Sequence, residues 1–227
     1  MTVYSEKIMV FAAALPFEAG FFAKMLSPVQ TIVTKSHFSL STGNSHGKRV
    51  FLMTTGYGGA RATMAHRFLH SRFSVDRVVT FGLAGALATH IRTGDIIIPA
   101  SVGLAEGGPD DDLSLDPISQ PVGFDGNIYC GGLALQSVRP LDAAGKIAHA
   151  GRGAVCVDME SHVAAAIAKK HGAACSVIRA VSDELDTPLE LANPRGDAGF
   201  MAAARLAARR NAEYLDAMLA AGEANNT

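Results

Sequence analysis

The chain has 227 residues, 48% hydrophobic and 18% charged, enough apolar material to bury the core of one domain covering residues 1–227. A formal net charge of −1, with no Lys/Arg block, argues against a nucleic-acid groove or an anionic membrane surface as partner. Cys130, Cys156 and Cys175 are an odd number with no CxxC pair, so neither a disulfide framework nor a structural zinc site fits, whereas a reducing, cytoplasmic setting does.

The first apolar run, Ile8–Leu15, follows Lys7 and has the outline of a short signal peptide. Glu6 beside the lysine, and the immediate Pro16-Phe17-Glu18, favour a buried first strand instead. A helical pattern over Phe17–Leu26 comes next, then strand-like runs at Gln30–Val33, Phe38–Ser41 and Val50–Thr55. A second helix is predicted over Ala60–Arg72, with further strands at Val75–Phe81 and Asp95–Pro99. Gly103–Phe124, rich in Gly, Asp, Pro and Ser, reads as a mobile surface loop or an active-site lid. The alternation then resumes with strand Ala154–Val157, helix Met159–His171, strand Ala174–Val181 and a long Ala/Arg-rich helix, Gly199–Ala221. No run approaches the ~20 apolar residues that a membrane span requires. Strands alternating with helices, several of them apolar on both faces, define an α/β domain with a largely parallel or mixed sheet.

Four motifs could carry chemistry. The first is Gly56-Tyr57-Gly58-Gly59-Ala60-Arg61, after a strand and before a helix, where backbone N–H groups can approach an anion. Arg61 replaces the third glycine of a dinucleotide fingerprint and no acidic residue ends the next strand, which argues against a Rossmann NAD site. A turn that merely needs positive φ explains this segment equally well. The second motif, Phe81-Gly82-Leu83-Ala84-Gly85, is a glycine-rich turn at the carboxyl end of a strand, the edge where open α/β sheets bind ligands.

The third motif, Val157-Asp158-Met159-Glu160-Ser161-His162, sits at a strand-to-helix junction. Asp158 can cap the helix and Glu160 can favour its first turn. The functional alternative is that Glu160 accepts hydrogen bonds from two vicinal hydroxyls, as a ribose offers, with Met159 against the sugar face. The fourth motif is Ser182-Asp183, just past the strand Ser176–Val181. Asp183 is either a cap or turn residue or an acid placed to protonate a ligand from the sheet edge.

Together these segments resemble the nucleoside phosphorylase and nucleosidase family, which includes purine nucleoside phosphorylases and methylthioadenosine/S-adenosylhomocysteine nucleosidases. The likeness runs in order through Ala14-Leu15-Pro16-Phe17-Glu18, Gly56-Tyr57-Gly58, Gly82-Leu83-Ala84-Gly85 with Thr93-Gly94-Asp95-Ile96, Val157-Asp158-Met159-Glu160 and Arg179-Ala180-Val181-Ser182-Asp183. Within the family, Phe81–Leu87 and Val157–His162 look most like the hopanoid-associated enzymes that remove adenine from adenosylhopane.

The resemblance implies a three-layer αβα sandwich around a mixed, mostly parallel sheet. It also implies cleavage of the N-glycosidic bond of a purine nucleoside, with adenine as the base. Asp183 matches the acid that protonates purine N7, a task that requires it to hold a proton near neutrality through burial or a neighbouring carboxylate. Ser182 would orient it. Met159 and Glu160 match the ribose-binding pair, with Asp158, Gly82 and Leu83 also at the substrate. Glu18 matches the residue that positions and activates water; without the resemblance it is an ordinary first-turn helix acid after Pro16.

Two departures shape the reading. Family phosphorylases grip phosphate with an Arg and a Ser or Thr around the second glycine turn, where this chain has Thr80 and Leu83. Leu83 offers only its backbone N–H, and a dianion needs several strong donors. That tilts the nucleophile from phosphate toward water, with Gly58, Arg61 and Arg179 left as candidate anion ligands. The second departure is Pro140 and Leu141 within Gly131–Val155, where the nucleosidases carry an aromatic that stacks on the base.

The expected protein is therefore a purine N-ribosyl hydrolase acting on a small nucleoside, one with an apolar or lipid-linked 5′ substituent in the extreme case. No metal and no cofactor are implied, inorganic phosphate being a co-substrate only for a phosphorylase. The family likeness suggests a homodimer or larger. The alternatives are a phosphorylase yielding ribose 1-phosphate and a non-catalytic nucleoside-binding domain on the same scaffold.

Overall fold

The computed structural model describes residues 4–118, 120–188 and 197–222. Its first strand, β1 (Tyr4–Ala13), lies in the sheet interior between β4 (Lys48–Thr54) and β5 (Phe73–Ala86), parallel to both. The apolar run after Lys7 is thus a central strand. Its consecutive side chains face opposite ways: Ile8, Val10 and Ala12 enter one core, Phe11 and Ala13 the other. The first core is closed by α2 (Gly59–Arg72) and α4 (Ser161–Lys170), through residues such as Leu69 and Ala164. The second is closed by α1 (Pro16–Ala23) and α5 (Ala198–Ala220), through Phe22, Leu215 and Met218. Helices on both faces of one sheet give the three layers expected.

The sheet is mixed. An antiparallel edge of β2 (Gln30–Thr34) and β3 (Ser39–Ser45) leads into β4 and the parallel centre β4–β1–β5. At β5 the sheet forks. Most of that strand pairs in parallel with β12 (Ala174–Asp183), whereas Gly85 and Ala86 at its end pair antiparallel with Val157 and Cys156 of β11 (Ala154–Asp158). On the β12 arm lie β6 (Ile96–Ile98) and β9 (Ile128–Cys130); on the β11 arm lie β10 (Leu133–Gln136), β7 (Ser101–Leu104) and β8 (Leu113–Ser114). Strands from two directions therefore point their carboxyl ends at one place.

Several expectations are corrected. Phe81–Gly85 is no turn; it continues β5, and its glycines serve close packing. The sequence reading passed over β7 to β10 and the short helix α3 (Ala143–Ala150). The stretch Gly103–Phe124 holds the end of β7, a 3-10 turn at Pro109–Asp111 and β8. It is held down by Arg152 Nη1, which donates to the carbonyls of Leu104 (2.7 Å) and Gly107 (3.2 Å), and by Asp116, whose carboxylate accepts from Cys175 N at 2.8 Å. Among the described residues no helix is long and apolar enough to cross a membrane.

Candidate active site

Where the sheet forks, a cavity of about 850 Å³ opens between strand ends and the first turns of α1 and α5. Glu18, Glu160 and Asp183 all line it, with Leu83, Asp158, Met159, Ser182 and Arg61 from the expected set. No described residue of Gly103–Phe124 does.

Glu18 is the third residue of α1, which starts at Pro16 because a missing N–H is harmless there. Its Oε2 accepts the N–H of Leu15 at 2.8 Å, the ordinary capping contact. Its Oε1 crosses to β5 and accepts the N–H of Leu83 at 3.0 Å. Glu18 is therefore both a cap and a cavity residue. Burial raises its pKa above the usual carboxylate range, against the pull of those two backbone donors and of Arg179.

Glu160 closes the entry to α4, and its Oε1 accepts the N–H of Gly58 at 2.6 Å. Gly58 is the residue before α2 and has φ +87°, so the positive-φ turn and the anion-holding helix start are both present. The group held there is the protein's own Glu160. Burial, with the Asp158 charge adding to it, pushes the Glu160 pKa up to about 8.

Asp158 does cap α4: Oδ1 accepts the N–H groups of Glu160 and Ser161, each at 2.9 Å. Its Oδ2 accepts from Arg179 Nε at 2.8 Å and from the Ser161 hydroxyl. Arg179 Nη2 also donates to Ser161 Oγ (2.7 Å) and Thr80 Oγ1 (3.2 Å). Burial opposes charge on Asp158, but Arg179 and Ser161 outweigh it and hold its carboxyl below the usual range. This buried pair ties β11 to β12 behind the cavity.

Asp183 ends β12 beside Gly85 and is 6% exposed. Ser182 Oγ donates to its Oδ1 at 2.7 Å. Where a neighbouring carboxylate was expected, the neighbour is Lys146, whose Nζ donates to Oδ2 at 2.7 Å and also to the carbonyl of Glu184.

The candidate phosphate ligands are largely occupied. The Leu83 N–H is held by Glu18, the Gly58 N–H by Glu160, and Arg179 by Asp158 and its neighbours. Thr80 accepts from Arg179, and Gly82 lies behind the wall with its carbonyl accepting from Asn211 Nδ2 at 2.6 Å. Arg61 alone of that set lines the cavity without a carboxylate in salt-bridge reach among the described residues.

Sequence reasoning did not single out Lys146, nor the apolar wall of Phe17, Phe200 and Met201. A lysine among alanines reads as a solvated residue, and aromatic or methionine residues on amphipathic helices read as core. Pro140 and Leu141, noted as standing where an aromatic was expected, do line the cavity.

The sequence model of the phosphorylase superfamily matches residues 8–133 and 125–220. Among characterised relatives, the 5'-methylthioadenosine/S-adenosylhomocysteine nucleosidase of Oceanobacillus iheyensis is 39% identical over 61 residues, and that of Pseudoalteromonas translucida 33% identical over 70. These stretches span 27% and 31% of this chain and only 27% and 30% of the relatives' own length. Solved structures agree over far more of the chain. The nucleosidase of the same name from Neisseria meningitidis, in complex with methylthio-immucillin-A, superposes with TM-score 0.78 over 95% of this chain and 99% of that one, at 20% identity. The S. pneumoniae enzyme with a transition-state inhibitor gives TM-score 0.78 over 94% and 98%, at 23% identity. At such identity the likeness is one of fold.

Proposed function

From the premise that this chain belongs to the phosphorylase superfamily, we propose that it hydrolyses the N-glycosidic bond of an adenine nucleoside. The observation that carries the reading is the convergence of Glu18, Glu160 and Asp183 on one cavity, while the Leu83 and Gly58 N–H groups and the Arg179 behind it are already committed to protein carboxylates. A phosphate dianion entering there would meet Glu18, with Arg61 left as the one uncommitted donor of the candidate set among the described residues, whereas a water molecule would meet an acceptor. The nucleosidase names of the relatives support the same choice.

In this mechanism the adenine N7 receives a proton from Asp183, so the base can leave with the C1′–N9 electron pair. Positive charge develops on the sugar in an oxocarbenium-like transition state. Glu160 holds the 2′ and 3′ hydroxyls, Met159 packs on the sugar face, and Glu18, ionised to act as base, stabilises the growing charge. Glu18 orients a water toward C1′ and takes its proton; burial that raises its pKa makes its carboxylate a better base. An apolar 5′ substituent suits the wall of Phe17, Phe200 and Met201, a lipid-linked adenosine being the largest of that class.

The test is release of free adenine from adenosine, methylthioadenosine, S-adenosylhomocysteine and a lipid-linked adenosine, with and without phosphate. Hydrolysis requires adenine and the free sugar, still carrying its 5′ substituent, without phosphate. An absolute phosphate requirement, with ribose 1-phosphate as product, would overturn it.

A further inference from the structure

Helix α3 buries one residue, and that residue is a lysine. It begins where the Asp142 side chain accepts the N–H of Gly145 at 2.8 Å, and it sends Lys146 inward until the side chain is 0% exposed. An enclosed ammonium is costly unless it is paired and hydrogen-bonded. Here both conditions are met by the element that carries the proposed acid: Asp183 Oδ2 at 2.7 Å and the carbonyl of Glu184. The other oxygen of Asp183 accepts from Ser182. Both carboxylate oxygens thus receive hydrogen bonds, an arrangement suited to an anion, yet the reaction asks Asp183 to deliver a proton. Among the described residues, Lys146 is the only cationic group within salt-bridge distance of it.

Resting on the nucleosidase reading above, we infer that Lys146 is a positioning residue that supplies, through Asp183, the proton the base receives. One Nζ–H bond breaks as an O–H bond forms on Asp183. That O–H bond then breaks as N7–H forms, and the C1′–N9 pair leaves with the base. Lys146 is left as a neutral amine. The attacking water bonds to C1′ and gives its proton to Glu18; transfer of one proton back to Lys146, through solvent, restores the site. The sum is nucleoside plus water giving adenine plus the free sugar. Lys146 also fixes the carboxylate plane, since Oδ2 is held by Nζ while Oδ1 is held by Ser182.

The experiment compares wild type, Lys146→Met, Asp183→Asn and the double variant for adenine release and thermal unfolding. Lys146→Met is expected to lower kcat by about 100-fold while KM stays within about threefold, because the loss falls on the chemical step. The double variant is expected to be no slower than Asp183→Asn alone, since Lys146 acts through Asp183. A Lys146→Met rate within about threefold of wild type, or a double variant well below Asp183→Asn, overturns the inference. Equal losses in kcat and in affinity overturn it too. If the single variant fails to fold, the double variant, which leaves no unpaired buried charge, decides by its comparison with Asp183→Asn. A wild type that releases no adenine overturns the nucleosidase reading itself, a result distinct from any failure of Lys146.

Discussion

Gly85 stands so close to Asp183 that a methyl group on its Cα would lie 2.8 Å from Oδ2, and 3.2 Å from Cδ of Lys146. Three residues earlier, a methyl on Gly82 would lie 2.9 Å from Oε1 of Glu18. Two glycines of β5 are thus bare because a carboxylate occupies the space beside each. Gly85→Ala is expected to swing Asp183 out of line and lower kcat at least about tenfold, misplacement by an ångström being enough. KM should change little, whereas the melting temperature should fall, because the swing disturbs the buried Lys146–Asp183 pair. Steady-state adenine release and a thermal melt check this, and an unchanged kcat counts against the assigned role of Asp183.

Those glycines also show where sequence reading stops. Phe81-Gly82-Leu83-Ala84-Gly85 was legible as important but not as a strand, since glycine signals a turn far more often than a close approach between strands. The alternation of apolar strands and helices located β1 to β6, β11, β12, α1, α2, α4 and α5 to within a few residues, because their burial is set by local pattern. The strands β7 to β10 are two to four residues long and left too little periodicity to detect. Glu18, Glu160 and Asp183 stand out through motif order, and the fold brings all three to one cavity. Lys146 was not found, because its meaning depends on a contact 37 positions away in the chain.

Glu160 ties stability to pH. In the folded chain its proton is held up to about pH 8, against a usual value of 4.5. The folded state therefore binds more protons than the unfolded state between those values. Its contribution is complete below about pH 4.5 and is lost as the pH rises through about 8. Glu160→Gln removes that dependence. In urea unfolding, the stability of wild type relative to Glu160→Gln should fall between about pH 5 and pH 9. A gap that stays constant over that window would show that burial does not hold the proton there.

Glu18 has a structural and a chemical part that two substitutions separate. Glu18→Gln keeps an oxygen for a backbone donor, so folding is expected to survive while hydrolysis drops by about 100-fold or more. Glu18→Ala leaves the N–H groups of Leu15 and Leu83 without their acceptor, with an added cost of about 1–3 kcal/mol. Urea unfolding together with adenine release distinguishes them. Equal stability of the two variants would mean that water replaces the carboxylate at both donors.

Arg179 is predicted to matter for folding first. Arg179→Met strands the buried Asp158 carboxylate and should destabilise the chain by about 3–5 kcal/mol, with lost activity following from lost fold. Replacing both partners, Asp158→Asn with Arg179→Met, should recover much of that stability. If Arg179→Met instead unfolds like wild type while activity disappears, the guanidinium belongs to the ligand-binding set and not to the scaffold.

The cavity has two kinds of wall, and their origins differ. Glu160 and Asp183 sit at or just past the ends of sheet strands, and Glu18 is pinned to β5 by its hydrogen bond. Phe17, Phe200 and Met201 belong instead to the opening turns of two helices on one outer layer. Substitution at those three positions can reshape what is accepted beyond the sugar, since Glu18, although on the same turn as Phe17, stays pinned to β5. If the chain is the nucleosidase proposed above, selection on this scaffold can trade one nucleoside for another at Phe17, Phe200 and Met201 alone, leaving the three acidic residues inherited intact.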